Sequence, residues 1–359
     1  MQTDFLIVGG GAVGLASARN LLLAGYRVTL VERGEVGREA SWAGGGILSP
    51  LCPWDYREPV TRLALRGMEM FGEAAAALHA STGIDTEYQR CGMLVLPPFQ
   101  SVLAARWCAQ HSFSLQQVNL ADYIPGMRGA GMRREGMLLP DVAQVRNPRL
   151  LQALRKQVEM LGGAILEHRE VQKFETTGER VVALHTPQGR LSADAYIVAA
   201  GAWSRKLLGE HALNIDIRPI RGQILLLKFD APPFRQIILR DNLYLIPRRD
   251  GHVLVGSTLE DAGFDKSITA AARDDLLGRV RELFPEWRDC EPVQHWAGFR
   301  PGSPDNIPTI ARHPALANLY VNSGHFRYGV TMAFASAELL LNEIEGKPQP
   351  FRVEAYRWH

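Results

Sequence analysis

Phe5-Leu6-Ile7-Val8-Gly9-Gly10-Gly11-Ala12-Val13-Gly14 is the stretch that decides the fold. Four apolar, strand-like residues run into a match to the spacing G-x-G-x-x-G, and a helical stretch follows through Ala24. After Gly25 a second apolar run, Tyr26 to Val31, stops on Glu32. Strand, tight turn, helix and second strand in this order form the unit that binds a dinucleotide. Gly9 lets the chain turn, Gly11 lets the backbone approach a pyrophosphate, and Gly14 lets the helix pack on the strand. Amides at the helix start, together with the helix dipole, favour a diphosphate there. Glu32 follows Gly14 by eighteen residues and is placed to accept hydrogen bonds from a ribose hydroxyl.

Outward from this unit, small residues return at Ser41-Trp42-Ala43-Gly44-Gly45-Gly46, where backbone amides can reach more of the same ligand. The spacing of Leu63, Met68, Phe71, Ala75 and Leu78 predicts a helix over 60–81. Asn147-Pro148 reads as a helix start, with the asparagine as cap, and the helix should reach about Leu161. Short strands are expected at 164–166, 171–175 and 181–186, and Ala195 to Val198 is an apolar strand opening onto Ala199-Ala200-Gly201-Ala202-Trp203. That last strand returns the chain to the parallel sheet, so the dinucleotide domain is expected to be discontinuous. Near Ile215 the texture changes to consecutive β-rich runs at 220–229, 237–240, 243–246 and 253–258, with one clear helix over 269–284. Strands without intervening helices argue for a mainly antiparallel sheet in a second, α+β domain beside the Rossmann-like α/β domain. The expected division is 1–84, 147–215 and 298–359 for the first domain, and 85–146 and 216–297 for the second.

Bulk properties narrow the class. At 359 residues the chain suits two domains, and 46% hydrophobic with 22% charged residues is ordinary for a globular protein. Forty basic against thirty-eight acidic side chains give no electrostatic case for a nucleic-acid partner. Cys52, Cys91, Cys108 and Cys290 are widely spaced, so neither a zinc site nor a disulfide framework is indicated. No apolar run approaches a membrane span, and the first strand begins almost at once, so a cytoplasmic location with reduced thiols is expected.

The closing segment repeats the opening logic. Leu319 to Val321 reads as a strand, Asn322-Ser323-Gly324-His325-Phe326-Arg327-Tyr328-Gly329 as a glycine-bracketed turn, and Val330 to about Glu343 as a helix. Two such turns, one at each end of the chain, suit a long cofactor gripped at both ends. An NAD-type dehydrogenase needs only the first; FAD uses the first for its diphosphate and adenosine and the second for its ring. Arg33 raises the option of a 2′-phosphate, as in NADP, but Glu32 beside it would repel that phosphate.

On these residues, with Val198-Ala199-Ala200-Gly201-Ala202-Trp203-Ser204 and Ala297-Gly298-Phe299-Arg300-Pro301, the chain resembles the FAD-dependent glycine oxidases of thiamine biosynthesis over essentially its whole length. These belong to the D-amino-acid oxidase and sarcosine oxidase superfamily. The resemblance implies that Ala12, Val13, Glu32, Arg33, Ala40, Ser41, Gly45, Gly46 and Ile47 line the FAD, with Gly9, Gly11 and Gly14 forming the fingerprint. It further implies that Val171 meets the adenine through its backbone. Gly201 would lie in a flavoprotein element, and the turn Gly324, His325, Phe326, Arg327, Tyr328, Gly329, Val330 and Thr331 would embrace the flavin. Arg300 stands where this superfamily anchors the substrate carboxylate, Tyr244 where a tyrosine shares it, and Arg327 where a second polar contact falls. The physics agrees: a guanidinium can grip a carboxylate with two parallel hydrogen bonds. No acid or base residue is required.

The implied activity is oxidation of glycine, sarcosine or small D-amino acids to the imine, by hydride transfer to flavin N5. Dioxygen then yields hydrogen peroxide, and the imine gives glyoxylate and ammonia or serves thiazole synthesis. FAD is expected to be non-covalent, because no cysteine follows Cys290. Two rivals are a D-amino-acid or glycine dehydrogenase passing electrons to a quinone, and a non-catalytic FAD-binding protein. A homo-oligomer is compatible with the family. The loop Trp54 to Arg57 and Leu259 are candidates to set pocket volume. Trp203, Trp296 and the residues around Arg300 are read as packing and as a shaped loop, respectively.

Overall fold

The computed structural model describes residues 3–124 and 135–358. The undescribed residues 125–134 fall in a stretch to which the sequence pattern assigns no element. The opening stretch folds as expected: strand Phe5–Val8, helix Ala12–Leu23 and strand Val28–Val31. Gly9 has φ +114°, and a Cβ on Gly14 would lie 1.9 Å from the Gly9 carbonyl oxygen, so the crossing of turn and helix requires both glycines.

A six-stranded sheet forms around this unit, in the order Thr309–Arg312, Leu319–Ser323, Ala195–Val198, Phe5–Val8, Val28–Val31, Ala164–Leu166. Its pairings are parallel except at the edge pair 309–312 with 319–323. Strands from residue 5 and from residue 319 thus lie two places apart in one sheet. Helices Ala12–Leu23, Glu58–Thr82, Asn147–Met160 and Gly329–Glu345 share one apolar core on one face. Here Leu63, Phe71, Ala75 and Leu78 are buried, while Met68 is only half-buried. The strand expected at 171–175 runs instead from Lys173 to Thr177, leaving Val171 buried just before it.

The second domain is built on an eight-stranded sheet in the order Gln294–Gly302, Arg218–Lys228, His252–Gly256, Leu243–Pro247, Ile237–Arg240, Met93–Val95, Glu135–Leu139, Gln116–Asn119. All pairings are antiparallel except that of 237–240 with 93–95. Helix Ala270–Leu283, capped by the Thr269 hydroxyl, packs Leu276, Leu277, Val280 and Leu283 into the core behind it.

Three expectations need correction. Arg300 is not on a loop: it belongs to the nine-residue edge strand Gln294–Gly302, whose glycines and proline pair in register with 218–226. The boundary placed at residue 298 therefore cuts a strand of the second sheet. Asn147 does not cap its helix; Arg146 holds that position, and the Asn147 amide donates instead to the carbonyls of Ser41 (2.7 Å) and Gly44 (2.9 Å). Its Oδ1, the atom a cap would use as acceptor, has no hydrogen-bond partner among the described residues.

Candidate active site

A single cavity of about 560 Å³ runs from the fingerprint to the eight-stranded sheet. At the fingerprint end its wall includes Gly9, Gly11, Val13, Glu32 and Arg33. The Glu32 carboxylate accepts from the amides of Gly10 (2.8 Å) and Gly34 (3.1 Å), which fixes it at the end of its strand. Arg33 is tied to Glu39 (2.9 Å) and lies 3.6 Å above the Trp203 ring. Trp203 is thus part of the cavity wall as well as packing. Val171 and Gly201 also reach this wall.

The middle of the wall is the loop that contributes Ala40, Ser41, Gly45, Gly46 and Ile47. Four side chains hold it in place. The Ser41 hydroxyl accepts from Ala12 N–H (3.0 Å), Asn147 takes Ser41 and Gly44 as above, and Thr331 donates to the Ile47 carbonyl (3.1 Å). Arg248, fully buried, donates through Nη2 to the Gly45 carbonyl (2.6 Å) and through Nη1 to Gln144 Oε1 (2.7 Å) and the Val145 carbonyl (3.0 Å). Burial pushes its pKa down to about 10. Arg248 lies in no sequence motif, and Asn147 reads in the sequence only as a helix cap, so neither is found there as a support of this loop.

The far end gathers Tyr244, Arg300 and the turn His325, Phe326, Arg327, Tyr328, Gly329, Val330 and Thr331. Three sequence-derived candidates stay off the wall: Ala12, Gly14 and Gly324. Ala12 is wholly buried in the first turn of the fingerprint helix, Gly14 packs helix on strand, and Gly324 (φ +89°) turns the chain against Ile217 and Ser303. Leu259 and Trp54 are not on the wall either. Leu259 is 54% exposed, and Trp54 packs against the apolar cluster under the second sheet. From the same loop as Trp54, Tyr56 is hydrogen-bonded hydroxyl to hydroxyl with Tyr328.

Arg300 is the centre of this end. Its Nη2 donates to Ser257 Oγ (2.6 Å), and its Nη1 donates to the Thr258 carbonyl (3.1 Å) and, more distantly, to that of Arg221 (3.5 Å). All three acceptors are neutral. Burial pushes the guanidinium below the usual arginine range; Tyr244 opposes that shift and the Arg327 charge adds to it. Two glycines make room for the pair. A Cβ at Gly222 would stand 2.2 Å from Arg300 Nη1, and one at Gly256 would stand 2.6 Å from the Tyr244 ring. Behind them Glu260 binds Arg221 (2.6 Å) and Gln223 (2.9 Å) and is hydrogen-bonded to the Thr258 hydroxyl, locking the turn that supplies two of the acceptors. His325 is buried and pushed down to about 3, so its imidazole is neutral near pH 7. The strand bearing Arg300 also touches the middle loop: Trp296 donates to the Ala43 carbonyl (3.0 Å), and a Cβ at Gly298 would lie 2.5 Å from Ala43 Cβ.

A dinucleotide fingerprint opening onto one long cavity, closed at its far end by a second sheet, is the construction of a two-domain flavoprotein. A family model described as FAD dependent oxidoreductase matches residues 4–342, and the chain belongs to that family. The glycine oxidase of Pseudomonas aeruginosa is 43% identical over 97% of this chain and 96% of its own length. The bifunctional protein ThiO/ThiG of Synechocystis sp. is 34% identical over 96% of this chain and 52% of its own length. Among solved structures, the glycine oxidase of Geobacillus kaustophilus has a TM-score of 0.94 at 26% identity, covering 100% of this chain and 98% of that one.

FAD is the cofactor of this family, and the residues present fit it. Two helices begin on the cavity wall, at Gly11 and at Gly329, where their positive ends suit a diphosphate and an electron-rich ring. A Cβ at Gly11 would fill the cradle 3.2 Å from Ser41 Oγ. None of the four cysteines lines the cavity. Among the described residues there is no cluster able to hold a metal ion, and no helix is long and apolar enough to cross a membrane.

Proposed function

We propose that the protein oxidises glycine, and other small amines such as sarcosine and small D-amino acids, to the corresponding imine. One observation carries this reading: the Arg300 guanidinium faces the cavity with three neutral acceptors and, among the described residues, no carboxylate bound to it. A buried cation without a counter-ion is costly, and a substrate carboxylate supplies the missing charge.

In this reading Arg300 grips the carboxylate, the Tyr244 hydroxyl adds a donor, and Arg327 supplies a second positive charge at the same end of the cavity. The clamp holds the substrate Cα–H in one orientation, and orientation accounts for much of the rate. Bound FAD supplies the two-electron acceptor and delivers the electrons to dioxygen as hydrogen peroxide. No acid or base is assigned: a histidine pushed to about 3 is a poor base at neutral pH, so the amine loses its proton to water before it reacts. The buried Tyr328, whose phenol is pushed well up by burial, and its partner Tyr56 close the wall against solvent. The imine hydrolyses to glyoxylate and ammonia or feeds thiazole formation for thiamine. The proposed setting is the cytoplasm, in keeping with four free cysteines. Self-association is compatible with this reading.

Anaerobic addition of glycine, sarcosine and D-alanine tests the reading: the flavin should bleach in the wild type and not in Arg300→Ala at the same concentrations. A flavin that stays oxidised with all three refutes it. An oxygen electrode then separates oxidase from dehydrogenase, since a dehydrogenase would reduce an added dye with almost no oxygen uptake.

A further inference from the structure

Of the five N–H bonds of Arg300, three are taken: two on Nη1 by the Thr258 and Arg221 carbonyls and one on Nη2 by Ser257 Oγ. Among the described residues, the second Nη2–H and the Nε–H make no hydrogen bond of ordinary length, and the Tyr244 hydroxyl is the one other group near enough to favour the charged guanidinium through a side-chain contact. A guanidinium can meet a carboxylate with two parallel bonds along its Nε/Nη2 side or its Nη1/Nη2 end, and only one of these edges is left open here. We propose that Ser257 is a positioning residue which, by holding the end of the Arg300 guanidinium, turns the Nε/Nη2 side toward the substrate carboxylate.

Ser257 is suited to this. It is buried, at 7% exposure, and its Oγ makes the shortest of the three contacts. The backbone carbonyls on Nη1 cannot be lost by side-chain change, whereas the Nη2 contact depends wholly on the Ser257 hydroxyl. The serine itself is held in place. Its neighbour Gly256 sits under the Tyr244 ring, and Thr258 is fixed through its hydroxyl by Glu260 and by the Gln223 amide (2.9 Å). Without the hydroxyl, the guanidinium could rotate about its last side-chain bonds and offer the carboxylate a single bond instead of two. Arg300 would remain present and charged, so the loss falls on carboxylate binding and not on the electron transfer that follows.

This inference rests on the carboxylate-clamp reading above, and its test keeps the two apart. Acetate, a carboxylate that cannot be oxidised, is titrated into the FAD-loaded protein while the flavin spectrum is followed, for wild type, Arg300→Ala, Ser257→Ala and Ser257→Thr. If Ser257 aims the clamp, Ser257→Ala binds acetate about tenfold more weakly, as the loss of one charge-assisted hydrogen bond implies. Its KM for glycine rises by a similar factor with kcat within about twofold, and Ser257→Thr, which keeps the hydroxyl, restores both. Wild-type affinity for acetate in Ser257→Ala overturns the inference while leaving the clamp intact. A fall in kcat with no change in acetate binding overturns it as well. If acetate fails to perturb the wild-type spectrum, or binds Arg300→Ala equally well, the clamp itself is wrong.

Discussion

The Arg300 guanidinium lies directly over Gly222, the residue two places along from its own partner in the adjacent strand: a Cβ there would come within 2.2 Å of Nη1, 2.4 Å of Nη2 and 2.5 Å of Cζ. The neighbour that must yield is the tip of a flexible side chain, so Gly222→Ala should barely disturb the scaffold while displacing the clamp. The expected outcome is a KM for glycine raised at least about tenfold. The melting temperature should move by only a few degrees, about 1 kcal/mol of stability. Steady-state kinetics and a thermal melt on the same preparation check this; unchanged KM would mean that Arg300 does not bind substrate.

Gly14→Ala should behave in the opposite way. Its Cβ would meet the Gly9 carbonyl oxygen at 1.9 Å, and both partners are backbone, so the helix must separate from the turn that presents the diphosphate amides. Overpacking of this kind costs about 1–3 kcal/mol and here distorts the cofactor site itself. The variant should be isolated with little flavin, seen as a low ratio of flavin to protein absorbance. A full complement would show that the fingerprint tolerates a wider crossing.

Precipitation with trichloroacetic acid should release the flavin into the supernatant. None of Cys52, Cys91, Cys108 and Cys290 lines the cavity, so no thiol is available there for a covalent link. Yellow colour remaining in the washed pellet would contradict the non-covalent assignment.

Acid should destabilise the fold in a way that depends on His325. Burial depresses its pKa from the ordinary 6.5 to about 3, so between those values the unfolded chain binds a proton that the fold refuses. Stability therefore falls as pH drops below about 6.5, by up to ~1.4 kcal/mol per pH unit from this group. Melting temperatures measured with saturating FAD from pH 7.5 to 5 should fall less steeply in His325→Gln than in the wild type. Equal slopes would remove His325 from the account.

Much of this was legible in the sequence because it was local. The fingerprint, Glu32 and the closing turn declare themselves through glycine spacing and apolar runs, and all three line one cavity. What could not be read was register. Arg300 looked like a loop residue because Gly298, Pro301 and Gly302 surround it, whereas those residues serve an edge strand with close neighbours. Gly222 and Gly256 carry no motif, since their importance lies in side chains that arrive from 78 residues later and 12 residues earlier, Arg300 and Tyr244. Asn147 was legible as a polar residue at a helix start, but the carbonyls that claim its amide lie a hundred residues earlier, in the 41–44 loop.

Gly298 pressed against Ala43 has a mechanical meaning. The strand that carries Arg300 rests there, without a side chain between, on the loop that lines the middle of the cavity, and a Cβ at Gly298 would lie 2.5 Å from Ala43 Cβ. Under the proposed clamp, any side chain added at Gly298 would therefore wedge the carboxylate seat away from the cofactor loop, and the spacing of the two is kept by the smallest residue in the strand.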